Sequence, residues 1–258
     1  MFSKNKREEL DSRSNLILGM VLLQDEESVE IEDFKKDQKM YFHNSISDLS
    51  GESGSFAFRI ANELVAVGHM PMPVPRGDLE GTAKYAYNWK TALEDLKGHK
   101  SHLFVTIMSG GVDQVKRFKI FTQVLCSLLR TTNSIGIYKG SQSLLIPKDA
   151  YLSIAGKMTD DHLPLYLWIY FGYRMTEQGN SGYTYGLREF GKSEMEIIDS
   201  TRTIGEIEEF LFNIAHYVLD YNVIFKDGQT CGVSADERIA ISYSKGNFVG
   251  GETFKLAY

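Results

Sequence analysis

The apolar residues of this 258-residue chain come in short runs, and that pattern limits the folds that the chain can adopt. The run from Leu16 to Leu23 has the length and the aliphatic content of a central β-strand. It falls well short of the roughly 18 apolar residues that would span a bilayer. A chain built from such runs buries its apolar side chains by pairing several strands and packing helices on them.

Two long helices are predicted by apolar residues that repeat at three- and four-residue steps. One begins at Thr203-Ile-Gly-Glu206, which is a capping-box sequence, and extends to Tyr221. The other covers 115–129, and shorter helices are predicted at 34–42, 78–98 and 150–155. Further strands are predicted at 56–60, 64–67, 102–108, 135–138, 144–146, 165–173, 183–190, 195–198, 223–225, 239–243 and 253–257, with a loop at 45–55.

This order of elements predicts an α+β fold with a mixed, mostly antiparallel sheet or sheets and helices layered on one face. We expect a flexible N-terminal tail at 1–13, an N-terminal α+β half at 14–146 and a C-terminal α+β half at 147–258. No low-complexity linker separates the halves, so we expect one globular unit with a shared core. The segment 71–75, Pro-Met-Pro-Val-Pro, predicts a rigid connector, because its prolines fix the backbone and lack amide donors.

The balance of charge argues against two classes of partner. The chain has 28 Lys and Arg residues against 34 Asp and Glu residues, a formal net charge of -6. We expect neither a nucleic acid nor a membrane as partner, because both attract basic proteins. The N-terminal residues lack the apolar run of a secretory signal, and Cys126 and Cys231 have no paired spacing. We therefore expect a cytoplasmic protein, with Cys126 as a small buried apolar side chain.

The polar residues form no recognisable catalytic, cofactor-binding or metal-binding pattern, so we predict none of these sites. His99 and His102 are three positions apart, but no further ligand accompanies them. The glycine pair at 110–111 precedes a helix, where a phosphate would be favoured, but a plain turn explains it better without a phosphate-binding motif. A cleft near His69, Arg76 and His102 stays open as an alternative site.

Two groups of residues predict a surface for a protein partner. The first, called the acidic run, has no base among its members and would steer a basic partner, although such runs are commonly only solvated. Its members are Asp25, Glu26, Glu27, Glu30, Glu32 and Asp33. The second is the aromatic stretch 166–190, in which Tyr170 and Tyr183 are expected to reach the surface as anchors. Core packing is the more common role of such aromatic residues.

Longer motifs in both halves resemble a known family. The N-terminal half carries Pro71-Met-Pro-Val-Pro75 and His99-Lys-Ser-His-Leu-Phe-Val-Thr106. The C-terminal half carries Tyr183-Thr-Tyr-Gly-Leu187, Lys226-Asp-Gly-Gln-Thr-Cys-Gly232 and Asp236-Glu-Arg-Ile239. Together they resemble the bacterial family catalogued as domain of unknown function 4261, over nearly the whole chain from residue 14. The resemblance implies a bacterial, cytoplasmic α+β module and supplies no catalytic residues.

We therefore expect a non-enzymatic protein-binding module. Families of this kind are associated with toxin and immunity neighbourhoods, and this association implies an immunity-type protein that binds and neutralises a toxin. The alternative is an enzyme or a small-molecule-binding module that uses the cleft near His69, Arg76 and His102. A third possibility is a structural subunit of a larger assembly, which a large exposed apolar patch would favour.

Overall fold

A computed structural model describes residues 16–232 and 238–258 of the chain. The described residues form two β-sheets and the helices that cover them. The α+β class and the mostly antiparallel pairing that the sequence predicts are confirmed. The predicted tail at 1–13 lies outside the described residues, as do Asp236 and Glu237 of the last motif.

The first sheet has seven strands, and every neighbouring pair in it is antiparallel. In chain order they are β1 (Ile17–Leu23), β2 (Ile46–Glu52), β3 (Ser55–Ile60), β4 (Glu63–Met70), β5 (Ser101–Ser109), β6 (Ser134–Lys139) and β7 (Leu144–Pro147). Their order in the sheet is β2-β3-β4-β5-β1-β6-β7. Strand β1 lies between β5 and β6, so the central strand predicted at 16–23 is confirmed.

The second sheet has six strands in the order β11-β12-β13-β10-β9-β8. In chain order they are β8 (Tyr170–Thr176), β9 (Gly179–Tyr185), β10 (Met195–Ser200), β11 (Thr230–Cys231), β12 (Ile239–Lys245) and β13 (Glu252–Leu256). Strands β10 and β13 run parallel, and the other neighbouring pairs are antiparallel. Among the described strands, β8 therefore forms one edge of this sheet, and its only strand neighbour there is β9.

Six α-helices cover the sheets within the described ranges. They are α1 (Ile31–Phe42), α2 (Arg76–Ala83), α3 (Ala92–Asp95), α4 (Gln114–Thr131), α5 (Lys148–Ala155) and α6 (Ile204–Asp220). The capping box of α6 is confirmed: Glu206 N donates to Thr203 Oγ1 at 3.3 Å, and Thr203 N donates to Glu206 Oε2 at 2.8 Å. Its apolar stripe packs on the second sheet, with Leu211 fully buried.

Helices cover both faces of the first sheet, so the prediction of helices on one face only is wrong for this half. Val21 and Leu23 of β1 join the core that contains α1, α4 and α5. Leu22, on the opposite face, packs with Leu79 of α2 and with Trp89. Both faces of β1 carry buried apolar side chains, so helices pack on both sides of the sheet at this strand.

The two halves share a continuous apolar core. Phe118 of α4 contacts Trp168 and Phe190 from the C-terminal half, with ring centroids 5.7 and 4.3 Å apart. Trp168 Nε1 also donates a hydrogen bond of 2.9 Å to Thr122 Oγ1. Helix α5 lies within the predicted C-terminal half but packs against α4 and β6.

The predicted loop at 45–55 is wrong, because residues 46–52 form β2. The side chains of this strand are mostly exposed and polar, so the sequence shows no alternation of apolar residues. The strand is held by backbone pairing with β3 at the edge of the sheet, which polar side chains permit.

The helix predicted at 78–98 is interrupted between α2 and α3. Trp89 Nε1 and Thr91 Oγ1 both donate to Asp95 Oδ2, at 2.6 and 2.7 Å. Backbone turns, such as Trp89 N donating to Ala86 O at 2.9 Å, shape the segment 84–91, and Trp89 packs with Leu22 and Leu79 in a second, smaller apolar core. Arg76 is the first residue of α2, so Asp78 lies in the first turn instead of capping it.

Three predicted strands also differ from the structure. Residues 165–167 and 187–190 form short 3-10 helices, and Gly186 ends β9 with a φ of 132° that favours glycine. Residues 223–225 form no strand. They follow α6 as an irregular segment, in which Val223 N donates to Val218 O at 2.9 Å.

Candidate functional site

A row of five aromatic rings crosses from the N-terminal half to the C-terminal half, and we call it the aromatic surface. Its members are Tyr85, Tyr87, Tyr170, Tyr183 and Phe248. Ring centroids of Tyr85 and Tyr87 lie 5.8 and 6.0 Å from that of Tyr170. Tyr170 lies 6.1 Å from Tyr183, which stacks on Phe248 at 5.2 Å. The surface therefore joins the turn 84–91, strands β8 and β9, and the loop between β12 and β13.

A glycine in β8 makes room for the central ring of this row. Gly172 pairs with Tyr183 across β8 and β9. A Cβ atom at Gly172 would lie only 2.2 Å from the ring of Tyr183. The ring therefore lies over the backbone of β8, which leaves Tyr183 only 9% exposed. Because β8 is an edge strand, the neighbouring Tyr170 remains within reach of the turn 84–91.

The aromatic surface has a buried ring within the row, a solvent-accessible end at Tyr85 and Tyr87, and charged groups at both ends. Tyr85 and Tyr87 are 39% and 41% exposed, whereas Tyr183 is buried. Lys84 Nζ lies 5.0 Å from the ring centre of Tyr85, and the Arg174 guanidinium lies 5.2 Å from that of Phe248. Both distances are within the range of a cation–π contact.

A carboxylate and two further tyrosines lie close to Tyr87. Tyr166 donates a hydrogen bond of 2.9 Å to Glu208 Oε1. The hydroxyl oxygen of Tyr173 is buried and has no hydrogen-bond partner among residues 16–232 and 238–258. Burial, with a further contribution from Glu208, raises the pKa of Tyr173 well above its ordinary value. These phenols stay protonated at neutral pH, so they offer hydroxyl groups and ring faces rather than charged nucleophiles.

The acidic run is separate from the aromatic surface, and part of it has partners of its own. Its partnered members pair with a lysine or with a neutral polar group: Glu32 with Lys35 at 2.7 Å, Asp33 with Lys36 at 3.3 Å, Glu30 with Ser53 at 3.0 Å and Asp25 with Asn133 at 2.7 Å. Glu26 and Glu27 are exposed. Phe34 packs α1 on the face of the first sheet opposite to the core that holds Trp89. The structure therefore brings Tyr170 and Tyr183 together, but not with this run.

The alternative cleft near His69, Arg76 and His102 is not assembled. In the register of β4 and β5, His69 pairs with Leu103 and Met70 pairs with His102. Neighbouring residues of a strand point to opposite faces, so the two imidazoles lie on different faces of the sheet. The His69 side chain lies near Gly54 and Ser28, whereas His102 Nδ1 hydrogen-bonds to Met72 O at 2.9 Å. Burial lowers the pKa of His102.

A small cavity near the proline segment contains Arg76 but neither His69 nor His102. It has a volume of about 200 Å³, and His99 and Lys97 contribute to its lining. Both ring nitrogens of His99 are already engaged, with Leu96 O at 2.8 Å and Val74 N at 3.0 Å. No group of three or more metal-binding side chains occurs in the described part of the chain.

The glycine pair at 110–111 faces a carboxylate instead of a phosphate. Gly111 N donates to Glu63 Oε1 at 2.8 Å, and the buried Arg117 pairs with Glu63 Oε2 at 2.9 Å. A Cβ atom at Gly110 would lie 1.9 Å from Glu63, so the glycine is needed for this close approach. The structure agrees with a plain turn that is packed against a buried ion pair.

The fold and the site together define a two-sheet α+β protein with an aromatic surface at the junction of its halves. A family model described as Domain of unknown function (DUF4261) matches residues 183–257, and the resemblance seen in the motifs is confirmed over this range. The matched residues run from β9 to β13 and include α6. No curated protein and no solved structure matches the chain. No helix of the described segments is long and apolar enough to cross a membrane.

Four residues of this region escaped sequence reasoning: Tyr85, Tyr87, Glu208 and Phe248. Tyr85 and Tyr87 were missed because a continuous helix was predicted over 78–98. That prediction leaves out the turn that places them beside Tyr170. Asn88 and Thr91 are poor helix formers and were the available signal for that turn. Phe248 and Glu208 meet the other residues only through the tertiary fold, and no local pattern marks them.

Proposed function

We propose that this chain is a non-enzymatic protein-binding module that contacts its partner through the aromatic surface. One observation carries the proposal: a row of five rings spans both halves and ends in two tyrosines that are 39% and 41% exposed. Tyrosines that are fixed on one side and accessible on the other provide a large contact area at a low entropic cost.

The groups around the aromatic surface support a protein partner. Lys84 and Arg174 lie against the rings of Tyr85 and Phe248, and Glu208 lies near Tyr87. An aromatic centre with charged groups at its edge is the usual arrangement of a protein interface. The net charge of -6 favours a basic partner, because long-range attraction speeds the encounter.

In its more specific form, the proposal is that the partner is a toxin, which the chain binds and neutralises as an immunity-type protein. A rigid surface supports this form, because a surface fixed before binding loses little entropy on binding. The test is co-expression of this chain with the products of neighbouring genes, scored by growth. Rescue by the unaltered chain, and none by a variant of the aromatic surface, is the expected result.

The direct test of the aromatic surface is a Tyr85→Ala, Tyr87→Ala double variant. We expect its affinity for a partner obtained by pull-down to fall by about 100-fold or more, as for two interface hot spots. Tyr41→Ala is the control, because Tyr41 is 56% exposed and lies on α1. Calorimetric titration gives both dissociation constants, and thermal melting checks the fold. Equal affinities for the double variant and the unaltered chain would refute the proposal.

A further inference from the structure

A second concave site lies within the family-matched part of the chain, away from the aromatic surface. It is a cavity between the end of α6, the segment 221–227 and strands β12 and β13, with a volume of about 420 Å³. This volume is within the roughly 300–1,000 Å³ of small-molecule sites. Its apolar lining consists of Met195, Val218, Val223, Ile224, Phe225 and Phe254. We call it the apolar cavity.

The walls of the apolar cavity are fixed by the protein itself. Met195 and Val218 belong to the shared core and are 1% and 4% exposed. Phe254 contacts Phe225 edge-on at 5.9 Å and Tyr243 at 4.8 Å. A site with such walls needs little rearrangement to accept a ligand.

One ammonium group lines this cavity. Lys192 is half-buried, and its Nζ donates a hydrogen bond of 2.6 Å to Asn222 Oδ1. An ammonium has three N–H groups, and Lys192 forms no ion pair within the part of the chain that the structure describes. Partial burial lowers the pKa of Lys192.

The other charged residues of the lining do not neutralise Lys192. Asp227 Oδ1 accepts a hydrogen bond of 2.8 Å from Tyr243 N, so this carboxylate is engaged with the backbone of β12. Lys226 adds a second positive charge at the exposed edge. The cavity thus combines an apolar floor with a net positive wall in a chain whose formal net charge is -6.

We propose that the apolar cavity binds an amphiphilic anion, a medium-chain carboxylate whose head pairs with Lys192 and whose chain lies on Val218, Phe225 and Phe254. The carboxylate gives the Lys192 ammonium a counter-charge, which it does not have among the described residues, and a charge-assisted hydrogen bond strengthens near apolar walls. Ile224, which is 73% exposed at the mouth, covers the bound chain. This site goes beyond the proposed protein-binding function and uses none of the residues of the aromatic surface.

The test is calorimetric titration of the full chain with decanoate below its micelle concentration, with decanol and an apolar peptide bearing a free C-terminus for comparison. We expect decanoate to bind at one site, and decanol to bind about tenfold more weakly because it lacks the charge. Binding of the peptide instead of decanoate would overturn the proposal, because the carboxylate would then come from a polypeptide. Absence of saturable decanoate binding would overturn it as well.

Two variants connect the binding to the named residues. Lys192→Met keeps the length of the side chain and removes its charge, so decanoate should bind about tenfold more weakly and no better than decanol. Ile224→Asp alters an exposed position and should weaken decanoate binding while leaving the melting temperature unchanged. Lys90→Met, at an exposed lysine outside the cavity, is the control. Unchanged decanoate affinity in Lys192→Met would refute the role of the ammonium.

Discussion

Two places in the molecule, one in each half, bury charged side chains in opposite ways. In the N-terminal half, Lys139 is 2% exposed and lies against the ring of Phe118, with Nζ 4.8 Å from the ring centre. Its hydrogen bond is long, 3.5 Å to Leu167 O. Burial lowers the pKa of Lys139 to about 7, although the charge of Glu189 opposes the shift. When Lys139 is charged, it lowers the free energy of unfolding.

In the C-terminal half, two buried glutamates are surrounded by hydrogen-bond donors. Glu196 accepts from the backbone N–H groups of Asn247 and Phe248 at 2.9 and 3.0 Å and from Lys255 Nζ at 3.1 Å. Burial alone would raise the pKa of Glu196, but these donors outweigh it and hold the pKa below its ordinary value. Glu194 likewise accepts from Gly186 N at 2.8 Å.

The difference shows what a buried charge can contribute. Glu194 accepts a hydrogen bond from the backbone of the loop that follows β9. Glu196 does the same for the loop that follows β12, and it therefore positions Phe248 of the aromatic surface. Lys139 organises no comparable segment in the described residues, because its ammonium donates there to a single carbonyl, that of Leu167. A buried charge orders a loop only when the loop supplies the opposing dipoles.

The largest effect is expected for Glu196→Ala. This change leaves several N–H groups and Lys255 unpaired in the interior, and we expect it to lower the free energy of unfolding by about 3–5 kcal/mol. Urea denaturation measures the loss, with the exposed Glu209→Ala as control. Because the native pKa of Glu196 is lower than its pKa in the unfolded chain, its contribution to stability should be lost as the pH falls from the unfolded pKa through the native pKa. A loss no larger than that of the control would show that the carboxylate does not hold the loop.

Lys139→Met is expected to change stability in the opposite direction. Removing the buried charge should raise the free energy of unfolding by about 1–4 kcal/mol at pH 6. In the unaltered chain the unfolded state binds one proton more than the folded state between pH 7 and the ordinary lysine pKa. Stability should therefore rise with pH there, by up to about 1.4 kcal/mol per unit.

The gain from Lys139→Met should accordingly shrink as the pH rises through this window. Urea denaturation of both chains at several pH values gives the difference. Parallel curves would contradict a lowered pKa of Lys139, since the two chains would then bind protons equally on folding.

A smaller effect is expected for Gly172→Ala, which tests how the aromatic surface is built. The added methyl group would lie 2.2 Å from the ring of Tyr183, and moving the ring should cost about 1–3 kcal/mol. Partner binding should weaken too, because Tyr183 connects Tyr170 to Phe248. Gly205→Ala in α6, where a Cβ meets no atom within 4 Å, serves as the control and should be neutral or slightly stabilising. Indistinguishable melting curves would mean that Tyr183 has room to move.

The smallest effect is expected for Glu30→Lys, Glu32→Lys in the acidic run. Stability should change by no more than about 0.5 kcal/mol, because both side chains are exposed. If the acidic run steers a basic partner, association should slow and its salt dependence should flatten. Stopped-flow rates at low and high salt decide this, with Glu177→Lys, Glu209→Lys as a control of equal charge. Equal rates for the two double variants would leave only the net charge of the chain as the source of steering.

The parts of the fold that were predictable are those whose signal is local. The capping box at Thr203 and the stripe that follows it determine α6, and the aliphatic run of β1 determines a central strand. The ion pairs of the acidic run could also have been predicted, because Lys35 and Lys36 follow Glu32 and Asp33 by three residues on one helix.

The remaining features depend on contacts between distant segments. The pairing of β2 relies on backbone groups, which leave no trace in its polar side chains. Tyr85 meets Tyr170 across 85 positions of sequence, and only the packing of the halves brings them together. Tyr170 and Tyr183 were identified because strands with aromatic residues were expected at their positions, but the expectation that Tyr183 reaches the surface is wrong, since its ring lies over Gly172 and is 9% exposed. Phe248 lies in a loop whose position depends on Glu196.

The contact of Phe118 with Trp168 and Phe190 has a consequence for cooperativity. Phe190 belongs to the family-matched range 183–257, whereas Phe118 and Trp168 precede it. A fragment limited to that range would lose β8 from beside β9 and would expose the core face that α4 covers. The family-matched range therefore relies on the preceding residues for part of its core, and we expect the two sheets to unfold in a single transition.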